Sequence, residues 1–254
     1  EVVSAATELL EMDTNSIRDV IRSLERRGSI LSCGDAALSI ALPDLRRAEQ
    51  RCAERLLLLA SHTTHALAAD VPRLINTFEH ESSVRLSPEQ RHAITVTAAA
   101  AVLIVTGGPG TGKTTLIRAV LSLYDAAGMR IQLAAPTGRA AKRIEEQAGR
   151  PASTIHRLLE YSPREGRFLR DKEHPLDCDG LILDELSMVD VTLLDAVLAA
   201  TQHDCRLLLV GDSDQLPSVG PGNVLADLIA SGFCPVARLT TVFRQGDRSA
   251  IVMA

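Results

Sequence analysis

The sequence predicts a doubly wound, parallel α/β sheet flanked by helices and preceded by a small, mostly helical region. Four continuous aliphatic runs of strand length, "AVLIVT" (101–106), "RIQLAAP" (130–136), "GLILDE" (180–185) and "RLLLVGD" (206–212), alternate with amphipathic helical stretches. Strands buried on both faces read in this way, apolar without alternation. A glycine-rich loop, "GGPGTGKTT", follows the first run directly and opens a helical stretch. Upstream of Asp70 to Pro72 the pattern differs, running helix, helix and two short strand-like pieces.

In chain order, "VVSAATELLEM" reads as an apolar helix. "DTNSIRDVIRSLERRG" then sets Ile17, Val20, Ile21 and Leu24 on one helical face, with Gly28 as a stop. "SILSC" and "ALSIAL", separated by "GDA", form a ribbon. Helix, helix and ribbon is the order of a winged-helix module, and a small packing domain is the plain alternative. From Asp44 a long helix carries Leu45, Ala48, Cys52, Leu56 and Leu59 inward, and Arg46, Arg47, Arg51 and Arg55 mostly outward. The expected organisation is an N-terminal region over residues 1–70 and an α/β domain over 71–254, with "VARLTTV" as one more strand.

Composition sets bounds. A chain of 254 residues holds one large α/β domain and a small companion. Hydrophobic residues make up 46% and aromatics 2%, so the core is aliphatic. No apolar run reaches the roughly 20 residues of a membrane-spanning helix, and the N-terminus lacks a signal-peptide layout. The five cysteines (Cys33, Cys52, Cys178, Cys205, Cys234) are scattered and never form a C-x-x-C pair. They suit a reducing cytoplasm and give no metal signature. Net charge is −5, yet "RRAEQR", "GRAAKR" and "REGRFLRDK" are locally basic. Screening confines such fields to about 8–10 Å, so an acidic chain can still carry a local phosphate track.

The glycine-rich loop spans Gly107, Gly108, Pro109, Gly110, Thr111, Gly112, Lys113, Thr114 and Thr115, and satisfies G-x-x-x-x-G-K-[ST] between a strand and a helix. Glycines let backbone N–H groups curl around phosphates, and the helix N-terminus adds its positive dipole end. Lys113 neutralises the β- and γ-phosphates in such a loop, and the Thr114 hydroxyl ligates Mg²⁺. At the end of "LILDE", Asp184 adds a carboxylate near Mg²⁺, and Glu185 one that polarises the attacking water. "LSPEQ" makes a helix start in which Ser87 and Gln90 form a capping box around Pro88.

Taken together the motifs resemble superfamily 1 DNA helicases, and most nearly the RecD-like group that moves 5′ to 3′ on DNA. The likeness covers about Leu86 to Gln245. "LSPEQ" is similar to the Q motif, which gives Gln90 the reading of adenine in ATP as an alternative to capping. "APTGRAAKR" resembles motif Ia, a DNA-contacting helix start, and implies phosphate contacts for Thr137, Arg139, Lys142 and Arg143. "STIHRLL" resembles the next DNA-contacting segment and adds His156, which read alone is a structural histidine. "DELSMVD" and "VGDSDQLPSVGPG" resemble motifs II and III, with Gln215 as sensor of the γ-phosphate. "VFRQ" resembles motif IV and sets Arg244 beside that phosphate.

The resemblance implies a RecA-like motor domain, ATP and Mg²⁺ as cofactors, and single-stranded DNA and duplex junctions as partners. Within 160–176 a short hairpin is expected around Gly166, either a solvated loop or the pin that splits the duplex. With only Tyr124, Tyr161 and four Phe to offer, DNA is expected to be held through phosphates and aliphatic wedges. The chain stops past motif IV, before the second RecA-like domain of such helicases. The expectation is therefore a fragment that binds ATP but hydrolyses it poorly. Two rival classes stand beside this one: a protein-remodelling P-loop ATPase, and a non-catalytic nucleotide-dependent DNA-binding or interaction module. Work alone or beside nuclease subunits stays open.

Overall fold

The computed structural model describes residues 2–33, 39–61, 67 and 70–243. Contacts divide the chain into two units, Glu1–Arg51 and Cys52–Ala254.

In the first unit, α1 (Val2–Leu10) and α2 (Thr14–Arg26) precede a ribbon of β1 (Leu31–Cys33) and β2 (Ser39–Ala41). The strands are antiparallel, with Leu31 opposite Ala41. Asp13 caps α2 by accepting from the amides of Asn15 and Ser16, which satisfies two of the donors a helix start leaves open. Gly28 leaves the helix at φ 69°, a left-handed value that glycine adopts without strain. The expected apolar face of α2 is narrower in the structure: Ile17 is buried, but Val20 is 47% exposed.

Helix α3 (Pro43–Ser61) runs through the division between units. The expected boundary near Asp70 and the contact division therefore do not coincide. The reason lies in the second half of α3, where Cys52, Leu56 and Leu59 are buried. There the Cys52 thiol faces the carbonyl of Val191 at 3.7 Å, and Arg55 Nη1 donates to the carbonyl of Leu198 at 3.2 Å. Arg55, expected on a solvated face, instead satisfies a carbonyl near a helix C-terminus.

The second unit opens with α4 (Val71–Ser82) and α5 (Pro88–Ala99) and continues as strands and helices in alternation. The strand β3 (Val102–Gly107) leads into α6 (Lys113–Ala126), β4 (Ile131–Ala135) and α7 (Gly138–Ala148). Next come β5 (Ser153–Thr154), α8 (Ile155–Leu158), and a hairpin of β6 (Tyr161–Ser162) with β7 (Arg167–Phe168). The chain then returns to the sheet as β8 (Gly180–Leu183), α9 (Val191–Ala200), β9 (Arg206–Gly211), α10 (Val224–Ser231) and β10 (Val236–Leu239).

Six of these strands form one parallel sheet in the order β10-β3-β9-β8-β4-β5. Strands β8 and β9 are buried along their whole length, as their unbroken aliphatic sequences predict. The core is aliphatic apart from Tyr124 and Phe78. In a sheet of this kind ligands bind outside the carboxyl ends of the strands, and the phosphate loop after β3, Asp184 and Glu185 after β8, and Gln215 after β9 lie there.

Candidate nucleotide-binding and catalytic site

Beyond the end of β3, the loop from Gly107 to Thr115 borders a cleft of about 670 Å³, within the usual range for small-molecule sites of about 300–1,000 Å³. Gly112, the residue before α6, sits at φ 80°, and a Cβ there would collide with the Gln90 side-chain amide and press on the Phe243 ring. Only glycine fits both the backbone and the space. Lys113 Nζ donates to the carbonyls of Gly107 and Gly108, the latter at 3.0 Å. Thr111 Oγ1 donates to Gly108 at 2.8 Å. The lysine is thus held across the mouth of its own loop.

Gln90 does two things at once. Its Oε1 accepts from the Ser87 amide at 2.9 Å, closing the capping box, while Nε2 donates to the Gly112 carbonyl at 3.0 Å. The same side chain caps α5 and props the phosphate loop. Glu89 beside it accepts from the hydroxyls of Ser87, Thr240 and Thr241. These bonds, Ser87's first, hold its carboxyl down at about 2. They tie the start of α5 to the segment after β10, and Phe243 N then donates to Gly110 O at 2.9 Å.

Across the cleft β8 delivers Asp184 and Glu185. Asp184 is buried, and that burial raises its proton affinity above the usual carboxylate range. Glu185 adopts a left-handed backbone, φ 55° and ψ 43°, which costs a non-glycine residue about 1–3 kcal/mol and gathers at functional sites. Its Oε1 takes a bond from Arg143 Nη2, while Oε2 is buried without a hydrogen-bond partner among the described residues. Gln215, after β9, lines the cleft and is held by Asp212, which accepts from its Nε2 at 3.3 Å. The β9 loop is in turn anchored to β3, because Ser213 N donates to Thr106 Oγ1 at 3.1 Å.

The DNA-facing expectations separate. Thr137 caps α7 by accepting from Ala140 N. Arg139 and Lys142 are exposed, Lys142 beside Glu146 at 3.8 Å. Arg143, grouped with them by sequence, turns its guanidinium to Glu185 in the cleft. His156 is exposed and packs its ring against Tyr161 and Phe168 at 5.7 and 5.5 Å, on the expected hairpin. Arg244 lies outside the described residues.

Sequence reasoning missed Gln147, whose Oε1 accepts from the Thr114 hydroxyl at 3.0 Å, and Phe243, which borders the cleft. Gln147 had a signal: it stands four residues beyond Arg143 on α7, hence on the same helical stripe.

A family model described as an AAA domain matches residues 90–221, from Gln90 through both carboxylates to the loop after β9. The chain belongs to that family. Relatives that match the chain include RecD-type proteins. The ATP-dependent RecD2 DNA helicase of Deinococcus radiodurans is 39% identical over 219 residues, 85% of this chain and 29% of that protein. The RecBCD enzyme subunit RecD of Mycobacterium tuberculosis is 39% identical over 79% of this chain and 38% of its own length. The chain thus spans well under half of these RecD-like relatives. The crystal structure of the Pif1 helicase from Candida albicans matches with a TM-score of 0.47 and 27% identity, over 65% of this chain and 42% of that one. Among the described residues no helix is long and apolar enough to cross a membrane.

Proposed function

We propose that this chain is the first ATP-binding motor domain of an ATP-dependent DNA helicase, coupling ATP hydrolysis to 5′-to-3′ movement on single-stranded DNA and to opening of duplex junctions in the cytoplasm. One observation carries it: Lys113, beyond β3, and Glu185, beyond β8, border the same cleft past the two strands that flank β9 in one parallel sheet, and one buried oxygen of Glu185 has no hydrogen-bond partner among the described residues. That oxygen suits the acceptance of a proton from an attacking water. The backbone amides at the start of α6 cradle phosphates, Lys113 neutralises them, and Gln215 stands at the γ-phosphate end.

The residues fit Mg²⁺. Among the described residues no three His, Cys, Asp or Glu side chains cluster as a metal cage, but an ion held through nucleotide phosphates needs only one or two protein ligands. Thr114 and Asp184 would hold it, and the buried Asp184 carboxylate is favoured in its charged form by a cation. When bound, Mg²⁺ supplies neutralisation of phosphate charge. Arg139 and Lys142 at the start of α7, with His156 beside the hairpin, form the DNA side, and the hairpin is the pin. The helix–helix–ribbon order of the N-terminal region supports a winged-helix-like module.

Calorimetry tests the phosphate site. Charge-assisted bonds contribute about 1.5–3 kcal/mol, so Lys113→Ala should weaken Mg²⁺–ATP binding about 10- to 150-fold with an unchanged melting temperature. Equal affinity overturns the assignment. DNA-stimulated ATP turnover by the full-length protein separates a helicase from a protein remodeller, which single-stranded DNA does not stimulate.

A further inference from the structure

Helix α7 reaches the catalytic carboxylate from an element that sequence assigns to DNA. Its stripe Arg139, Arg143, Gln147 is spaced at four residues, so the three side chains stack along one face. Gln147 accepts from Thr114, and Arg143 bonds Glu185. Two neighbouring side chains of α7 thus contact both halves of the site, the residue after the phosphate-loop lysine and the carboxylate after β8.

The pairing is selective. Lys113 is committed to the carbonyls of Gly107 and Gly108, and Arg143 Nη2 lies 4.0 Å from Asp184 Oδ2 while in hydrogen-bond contact with Glu185 Oε1. The Glu185 side chain is 11% exposed. A carboxylate so buried is costly without a partner, and its left-handed backbone gives it no help. A guanidinium on one oxygen offsets part of that cost and fixes the plane of the group, leaving Oε2 as the oxygen that can take a proton.

We infer that Arg143 is a positioning residue for ATP hydrolysis, pinning Glu185 through Oε1 and leaving the unpartnered Oε2 to take the proton of the attacking water. The inference rests on the ATPase reading above. In the step it serves, the water oxygen bonds to the γ-phosphorus as the bond to the β,γ-bridging oxygen breaks. The electron pair leaves with ADP, and the water proton passes to Glu185 Oε2. Its assigned role is to act through Glu185, which it bonds from the wall of the cleft.

The test is steady-state ATP hydrolysis by the full-length protein, with and without single-stranded DNA. Misplacing a reacting group can reduce a rate about 10²-fold, so Arg143→Gln should lower kcat by about that factor. KM for ATP should stay within about threefold, and the loss should be the same without DNA. Arg143→Lys should restore a large part of it. Joined to Glu185→Gln, Arg143→Gln should cost no further activity, since the group it positions is already gone. Unchanged DNA-free kcat with weakened DNA binding would overturn the inference and return Arg143 to phosphate contact, as would additive losses. A thermal-melting cycle over the same variants decides the pairing even if the wild-type protein hydrolyses no ATP, a result that defeats the ATPase reading instead. Non-additive melting shifts keep Arg143 on Glu185, and additive ones remove it.

Discussion

The nucleotide cleft and the β6–β7 hairpin lie in one unit and are built on opposite principles. In the cleft, groups distant in sequence satisfy one another: Gln90 with Gly112, Arg143 with Glu185, Gln147 with Thr114, Ser213 with Thr106. The carboxylates there are buried, and Glu185 Oε2 has no hydrogen-bond partner among the described residues. In the hairpin everything is local. Two two-residue strands pair Tyr161 with Phe168, four residues turn between them, and the rings of Tyr161 and Phe168 meet at 5.2 Å with His156 alongside. Tyr161 remains 43% exposed. The cleft is held by contacts between distant segments, whereas the hairpin rests on neighbouring rings, with Tyr161 exposed and Phe168 half-buried.

The sharpest way to break this contrast is Glu185→Gln. Positioned acid–base catalysis contributes about 10²–10⁴ in rate, so turnover by the full-length protein should fall by that factor while calorimetric ATP affinity is retained. Equal turnover would make the cleft a binding site only. A smaller effect belongs to the hairpin. Stacking of a base on an aromatic ring contributes about 1–3 kcal/mol, so Tyr161→Ala should weaken single-stranded DNA binding about 5- to 150-fold and leave ATP affinity alone. Unaltered DNA affinity would reduce the three rings to packing of the turn.

The smallest effect concerns Glu89. Its folded-state carboxyl titrates at about 2 against an ordinary 4.5. Its contribution to stability is therefore full above about pH 4.5 and is lost as pH falls towards 2. Melting temperatures of wild type and Glu89→Gln should differ at pH 6 and converge at pH 2. A constant gap would show that the hydroxyls of Ser87, Thr240 and Thr241 do not favour the charged form.

Legibility in the sequence followed the same divide. Strands β3, β8 and β9 could be read because burial on both faces favours unbroken aliphatic runs, and β4 through its buried end at Leu133 to Ala135. The phosphate loop was equally plain, because glycine, lysine and threonine are dictated by backbone and charge at fixed spacing. Less visible was anything decided by which way a long side chain turns. Arg143 belongs to "GRAAKR" as readily as Arg139 does, and only the fold brings Glu185 within its reach. Arg55 looked solvated until α9 supplied a carbonyl. The Gln90 alternatives, cap or nucleotide reader, were framed as rivals, yet the side chain caps α5 and supports Gly112 together. Aromatic scarcity pointed away from stacking, but a count carries no position, and two of the six aromatic residues meet on one hairpin. Strand β5, two residues long, is too short to leave a pattern.

The backbone at residue 185 bears on which residue would fold best there. At φ 55° the conformation favours glycine or asparagine, so a redesign that optimised folding alone would replace the glutamate there. A glutamate at that position stands against the local energetics, and the surrounding sheet must be stable enough to hold it. Stabilising substitutions at other sites should therefore be compatible with the site's geometry, whereas relaxing residue 185 itself would yield a sturdier protein with Asp184 as the remaining carboxylate at the end of β8.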